Sequence, residues 1–292
     1  EFMELRLLRY FLTVAAEENI THAAEMLHIT QPTLSRQIAQ LESELGVRLF
    51  ERKNHRVVLT EEGLVLRRRA REIVELVSIT EDEIAHYDTG LEGNIRIGCG
   101  ETVNVDFISQ AICEFRREYT HVTFTIYTAI ADDVKDRMNQ GLLDFGLLMG
   151  PTDVSHFNFI QLPYKEETFV LMRRDDPLAT LTCITPKDLA GQPIILAQRE
   201  SVQNSVRNWL GKYYSQTNVV ATINLSRFNS SSLVRTGVGK HITVVGQNDD
   251  PALCTIPLRP KLIQQSVLAW KKDANLSRPV QLFAEFVQSL AK

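Results

Sequence analysis

Residues 31–45 read Gln31-Pro32-Thr33-Leu34-Ser35-Arg36-Gln37-Ile38-Ala39-Gln40-Leu41-Glu42-Ser43-Glu44-Leu45, and this stretch decides the fold. Leu34, Ile38, Leu41 and Leu45 recur at steps of four and three, so one face of a helix is apolar. Thr30 or Gln31 can cap its start, Pro32 is tolerated in the first turn, and Gly46 supplies the exit. The opposite face begins with Gln31, Thr33, Ser35, Arg36 and Gln37. Hydrogen-bonding side chains at the front of a helix are what a recognition helix presents to base edges in a major groove. The competing reading is a solvated face on an ordinary bundle, and the flanking sequence weighs against it.

Upstream, Leu5, Leu8, Phe11, Leu12 and Ala15 predict a first helix with one buried face. Asn19 and Thr21 offer a stop and a new cap, and Ala23, Ala24 and Leu27 mark a short second helix that another can cross closely. His28-Ile29-Thr30 is the turn into the third. Downstream, Leu49-Phe50-Glu51-Arg52 and Val57-Val58-Leu59-Thr60 read as two short strands around a basic tip, Lys53-Asn54-His55-Arg56. Such a hairpin is a wing, and Arg52, Lys53 and Arg56 suit phosphates or a minor groove. Residues 1–60 are therefore expected to form a winged helix-turn-helix.

Thr60 caps the next helix, with Glu61 and Glu62 in its first turn. Leu66, Ala70, Ile73, Val77, Thr80, Ile84 and Tyr87 alternate by four and three, which predicts a seam along a partner helix over 61–89. Arg67, Arg68, Arg69 and Arg71 either reach a nucleic-acid backbone or balance the nearby glutamates. Two glycines in Thr89-Gly90-Leu91-Glu92-Gly93-Asn94 mark a hinge at 90–94.

From residue 95 strands alternate with helices: Ile95–Gly98, a helix through Phe107, Ile108, Ile112 and Phe115, Val122–Tyr127, a helix from Asp132 to Gln140, then Asp144–Met149. Thr168–Met172 begins a second set, continued by Ile194–Leu196, a helix near Val206–Tyr214, Val219–Leu225 and the turn Gly237-Val238-Gly239. Ser266–Trp270 and the helix Val280–Leu290 return to the first. This predicts two α/β lobes, about 95–164 with 266–292, and about 165–265. Between them lies a cleft suited to a small ligand.

The 292 residues suit two or three compact units, and 44% hydrophobic with 23% charged residues describes a folded chain. The net charge of −4 leaves nucleic-acid binding open, because phosphate affinity depends on local patches. No apolar run is long enough for a bilayer, and the N-terminus lacks a basic then apolar leader, so a cytoplasmic protein is expected, with Glu1-Phe2 a cloning remnant before Met3. Cys99, Cys113, Cys183 and Cys254 are scattered like buried reduced thiols; a switch joining Cys183 and Cys254 is the alternative. No histidine pair or Cys-x-x-Cys suggests a metal, and no cofactor is expected. Gly98-Cys99-Gly100 follows a strand, but Val103 stands where a dinucleotide loop needs its third glycine. No phosphate loop, nucleophile elbow or acid pair is evident, so an enzyme is not expected; a catalytic domain fused to a DNA reader is the remaining rival.

The run Leu8-Arg9-Tyr10-Phe11, Ala23-Ala24, Gln31–Ile38, Leu41-Glu42, Leu45-Gly46, Leu49–Arg52 and Leu59-Thr60-Glu61-Glu62-Gly63 closely resembles the LysR-type transcriptional regulators. The resemblance implies an α+β multidomain protein: a winged helix-turn-helix, a long linker helix and a two-lobed effector domain like the periplasmic binding proteins. It implies that Gln31, Pro32, Thr33, Ser35 and Arg36 approach double-stranded DNA, with Arg52, Lys53 and Arg56 as wing contacts. It implies an antiparallel dimer through the linker helix, association of dimers into a tetramer, and an effect on RNA polymerase. By the family's pattern a small-molecule effector meets Thr102 and Val103, Ile130 and Ala131, and Met149 with Gly150. Gln198-Arg199-Glu200, Phe228-Asn229 and Val245-Gly246 line the remaining rim. Helix N-termini and an arginine favour an anionic effector, while Glu101 and Glu200 oppose one, so its charge stays open. Lys240-His241 departs from the apolar pair usual after the glycine turn.

Overall fold

The computed structural model describes residues 3–53, 56–85, 91–224, 227–244, 246, 249–272 and 276–291. It divides the chain into two compact units, residues 1–88 and 89–292.

The first unit holds α1 (Leu5–Glu17), α2 (Ile20–Met26), α3 (Gln31–Leu45), the hairpin β1 (Phe50–Lys53) and β2 (Arg56–Leu59), and α4 (Glu61–Ala85). The chain leaves α1 through Glu18 in the left-handed region (φ 50°), and Asn19 then caps α2 by accepting from the Thr21 and His22 amides. Ala23 and Ala24 are buried, and their lack of bulk lets α2 lie close to its neighbours. Of the expected Leu5, Leu8, Phe11, Leu12 and Ala15 face, α1 buries Leu8 and Phe11 and adds Leu7 and Val14; Leu5, Leu12 and Ala15 are only half-buried. On α3 the stripe is Leu34, Ile38 and Leu41, while Leu45 is exposed at the exit into Gly46 (φ 69°).

Two side chains join α3 to the hairpin and α4. The Glu42 carboxylate accepts from the backbone amides of Leu49 (2.7 Å) and Phe50 (3.1 Å). Thr60 donates its hydroxyl to Arg48 O (2.7 Å) and caps α4 by accepting from the Gly63 amide (3.0 Å).

The linker helix corrects two expectations. Ala70 is fully buried in the same core as Phe11, Leu34 and Leu41, and Leu66 and Val74 pack against that core. The first half of the proposed seam is therefore core of the winged unit, and the domain does not end at residue 60. The cause is α1, which lies along α4. Further along, Ile73, Leu76 and Ile84 are exposed, the last at 71%, and Val77 is half-buried. Tyr87 lies outside the described residues, as do Asn54 and His55 at the wing tip and Thr89 and Gly90 of the expected hinge.

The second unit is built on two five-stranded sheets. One has the order β4-β3-β5-β12-β6, from β3 (Gly93–Cys99), β4 (Val122–Thr128), β5 (Phe145–Met149), β6 (Phe157–Glu167) and β12 (Ile263–Lys271). The first three run parallel, and β12 is antiparallel to both β5 and β6. Against it lie α5 (Asn104–Glu118), α6 (Ala131–Asn139) and α9 (Arg278–Leu290). Phe115, Phe124, Phe145, Phe283 and Phe286 stack edge-on, with centroids 5.1 to 6.2 Å apart. Such pairs add about 0.5–1.5 kcal/mol each beyond their buried area.

The other sheet has the order β11-β7-β10-β8-β9, from β7 (Phe169–Arg173), β8 (Pro193–Ala197), β9 (Asn218–Ile223), β10 (Lys240–Thr243) and β11 (Leu253–Pro257). It carries α7 (Glu200–Leu210) and α8 (Arg227–Arg235). The chain crosses between sheets at Thr168 and again over 258–262. Both crossings differ from the expected lobe limits, because β6 continues to Glu167 and β12 begins at Ile263. Gly93 and Asn94 are strand, paired with Val122 and Thr123, and not hinge. Strands β6, β10 and β11 were not expected. Among the described residues no helix is long and apolar enough to cross a membrane.

Candidate DNA interface and effector cleft

The front of α3 is open. Gln31, Pro32 and Arg36 are exposed, and Thr33, Ser35 and Gln37 are half-buried. Local bonds hold these side chains in a row: Gln31 Nε2 donates to Ser35 Oγ (2.8 Å), Arg36 Nε donates to Pro32 O (3.3 Å), and the Thr30 and Thr33 hydroxyls pair at 2.8 Å. Turn and wing are set by the same framework, since His28 takes a positive φ of 54° and the Val57 amide donates to Glu18 O at 3.0 Å. Arg52 and Lys53 are exposed on β1. Arg56 instead meets Glu18 (3.3 Å), an exposed pair of the kind worth about 0–1 kcal/mol and easily exchanged for a phosphate. Of the arginine run on α4, Arg69 pairs with Glu72 at 2.8 Å, which is charge balance for that residue.

In the second unit Thr102 and Val103 precede α5, and Ile130 and Ala131 begin α6. Met149 ends β5, and Gln198 and Arg199 join β8 to α7. Two clusters form around these residues. In the first, Glu166 of β6, fully buried, receives the Thr102 hydroxyl, Asn104 Nδ2 (2.9 Å), Ser266 Oγ (2.8 Å) and the Val103 amide (3.3 Å). Asn104 is also fully buried and exchanges bonds with the Tyr164 backbone (2.8 and 3.2 Å). Sequence reasoning missed Glu166, Asn104 and Ser266; only the pairing of β6 with β12 and the packing of α5 against β6 bring them together.

The second cluster crosses between the sheets. Arg199, with its side chain 9% exposed, donates Nη1 to Met149 O (3.0 Å) and Nη2 to Pro151 O (2.9 Å). Its Nε stands 3.6 Å from Asp132 Oδ2 and makes no hydrogen bond among the described residues. The guanidinium is thus largely committed to straps between the lobes. Phe228 and Asn229 lie on the first turn of α8, with Phe228 78% exposed. Gly246 leaves no room for a side chain, since a Cβ would stand 2.9 Å from the Phe169 ring, and its carbonyl accepts from Thr255. Val245 lies outside the described residues.

A depression of about 510 Å³ opens at the far end of β7 from the crossing, lined by Arg173, Arg174, Asp175, Arg235, Pro251 and Ala252. Its arginines are engaged: Arg173 with Asp175, Arg235 with Asp250 (2.8 Å), and Arg174 with the carbonyls of Pro251 and Leu253 (both 3.0 Å). In the interior of the same lobe, Lys240 Nζ reaches Asp176 (2.7 Å) and Gln192 (2.9 Å), which explains the polar residue where an apolar one was expected.

Comparison with known proteins decides the family. Residues 5–64 match the model of the bacterial regulatory helix-turn-helix protein of the lysR family, and residues 88–292 match that of the LysR substrate binding domain. The chain belongs to the LysR family. This makes it a DNA-binding transcriptional regulator with a substrate-binding domain, in a family of regulators and not of enzymes. It is 28% identical to the uncharacterized HTH-type transcriptional regulator YybE of Bacillus subtilis over 293 residues, 98% of this chain and 99% of that one. It is 28% identical to the dual regulator OxyR of Escherichia coli over 197 residues, covering 67% and 64% of the two chains. The LysR-family regulator CbnR shares the fold, with a TM-score of 0.78 at 21% identity over 99% of this chain and 100% of that one. For CbnR complexed with its target DNA the TM-score is 0.76 at 20% identity, covering 98% and 99%.

Within this LysR-family chain Cys183 and Cys254 are both free and half-buried, and the match to the substrate-binding domain fits the small-molecule reading better than the redox alternative. Burial pushes the thiols of Cys99 and Cys254 up, away from the reactive thiolate.

Proposed function

We propose that this regulator reads an operator with Gln31, Pro32, Thr33, Ser35 and Arg36 of α3 in the major groove, while Arg52, Lys53 and Arg56 hold the flanking backbone. The carrying observation is the exposed front of α3 above the buried Leu34–Ile38–Leu41 stripe. The likeness in fold to CbnR, whose structure includes its target DNA, supports it. Replacing Arg36 with alanine is expected to weaken binding to a cognate site by about 1–3 kcal/mol and to relax sequence choice. Titration of wild type and variant against operator and scrambled fragments checks this, and unchanged affinity with unchanged selectivity removes Arg36 from the readout.

A small molecule between the two lobes, against Thr102, Val103, Ile130, Ala131, Met149, Gln198, Arg199, Phe228, Asn229 and Gly246, sets the lobe arrangement. It shifts activity only as far as it binds two arrangements with different affinity. Met149 and Pro151 bonded to Arg199 support a seam there that a ligand can alter. In the cytoplasm, where operator DNA lies, the outcome is changed access of RNA polymerase.

The acting species is a homodimer through α4, with two dimers associating further. The exposed Ile73, Leu76 and Ile84 support this, because burying each is worth about 1.5–3 kcal/mol. Glutamates at Ile73 and Ile84 are expected to give a smaller particle in light scattering; an unaltered mass rejects that seam.

A further inference from the structure

The start of a helix is an anion-binding position, because its first amides lack partners within the helix and its dipole favours negative charge. At α5 that position is taken by the chain itself. Glu166 brings its carboxylate from β6 under Thr102 and Val103, and both oxygens are met. Oε1 receives the Thr102 hydroxyl, Asn104 Nδ2 at 2.9 Å and Ser266 Oγ at 2.8 Å, and Oε2 receives the Val103 amide at 3.3 Å. The Thr102 oxygen also accepts from the Asn104 amide at 3.0 Å, so this residue ties Glu166 to the first turn of α5. The Thr102 hydroxyl and the Val103 amide, which would greet a ligand carboxylate here, are turned onto a protein carboxylate.

The neighbouring polar groups extend the same chemistry. Gln264 is the cross-strand partner of Glu166, and such partners share a face of the sheet. Its Oε1, and the Oγ1 of Thr168 two residues beyond Glu166, are buried with no hydrogen-bond partner among the described residues. The Thr168 hydroxyl can donate as well as accept, but the Gln264 carbonyl oxygen can only accept, and on the face of a buried carboxylate it calls for a donor. A second carboxylate about 4 Å from Glu166 would bind roughly a thousandfold more weakly at the effective dielectric of a protein site.

We propose that Glu166 is a built-in carboxylate that fills the anion position at the start of α5 and sets the cleft against anionic effectors, so that the group received there is a hydrogen-bond donor such as an amine or ammonium. The inference deepens the effector-cleft reading and rests on it.

Chemical rescue tests it without knowing the effector. Glu166→Ala leaves Thr102, Val103, Asn104 and Ser266 around a carboxylate-sized gap, which sodium formate can refill. At 100 mM, formate is expected to raise the melting temperature of that variant by about 3 °C more than sodium chloride does, and to act on wild type no differently from chloride. Equal effects of the two salts on the variant, or equal formate stabilisation of wild type, overturn the proposal. Glu166→Gln keeps the side-chain volume and covers the case where the alanine variant does not fold. Its affinity for n-butyrate by calorimetry should exceed that of wild type at least tenfold, and unchanged affinity overturns the assignment. Retention of promoter DNA by wild type is measured alongside. Loss of DNA preference would sink the regulator reading, while the formate result reports on Glu166 alone.

Discussion

Gly63→Ala is expected to destabilise the winged unit by about 3 kcal/mol or more and to remove operator binding with it. A Cβ at this position would stand 2.2 Å from the Leu49 carbonyl oxygen and 2.9 Å from Leu59 Cδ2. The first of these is backbone, and it cannot rotate away. Leu49 is pinned on both sides: its amide donates to Glu42 at 2.7 Å, and its carbonyl accepts from the Thr60 amide at 3.0 Å. Relieving the clash therefore breaks the bonds that fasten α3, the hairpin and α4 to one another. Overpacking alone costs typically 1–3 kcal/mol, and disrupting a buried hydrogen bond adds about 1–3. Alanine's better helix propensity returns only about 1 kcal/mol. Thermal unfolding of the full chain, with hydrogen exchange at the amides of Val57 and Thr60, reads the effect directly. A variant with wild-type exchange at both amides and wild-type melting would show that the α4 start has room.

That close approach bears on what a sequence can reveal. Gly63 was visible as part of a family pattern, but its reason is a carbonyl oxygen fourteen residues earlier. The stripe Leu34–Ile38–Leu41, the Asn19 cap and the Thr60 cap were legible because their causes are local: a 3.6-residue period and an oxygen two or three residues from the amide it accepts. The same local rule misassigned Leu66 and Ala70. A heptad looks alike whether its seam faces a partner chain or α1, and only the packing of α1 along α4 decides between them. Ile73 and Ile84 of that heptad are exposed within the unit, as is Leu76, which the heptad did not include.

The cleft was legible in outline and not in chemistry. The helices that begin at residues 104 and 131 followed closely from the strand and helix alternation, while the third, expected near Val206–Tyr214, begins at Glu200. Yet β6 carries Pro163, Lys165, Glu166 and Glu167, which does not read as a strand with a buried side, and its burial alternates irregularly. Nothing in the sequence around Glu166 marks it as buried. Arg199 looked like a free cation for a ligand, because the carbonyls it holds belong to Met149 and Pro151, some fifty residues away. Charge in a sequence says what a group can pair with. The fold says whether the pairing has already been made.

His241 makes the second large prediction, and it concerns acid. It lies on β10 between β7 and β8, aligned with Leu171 and Ile195, buried, with no partner for Nδ1 among the described residues. Burial lowers its pKa from 6.5 to about 4. Lys240 next to it points to the opposite face of the strand, where Asp176 neutralises it. In the unfolded chain His241 takes up its proton near pH 6.5, and in the folded chain only near pH 4. Between those values the unfolded state binds more protons, so stability rises with pH. The contribution is intact above about pH 6.5 and is lost as the pH falls, by about 2 kcal/mol at pH 5 and about 3 kcal/mol at pH 4. The carboxyls of Asp153, Asp175 and Asp250 are held below the usual carboxylate value by the Ser155 amide, by Arg173 and by the Ala252 amide, so their losses begin at lower pH. His241→Val keeps the strand and removes the titrating ring. Urea unfolding of both proteins at pH 7 and pH 5 should show the variant gaining about 2 kcal/mol on wild type over that interval. A difference between the two that stays constant with pH would mean that the His241 ring reaches water or a proton acceptor in the folded protein.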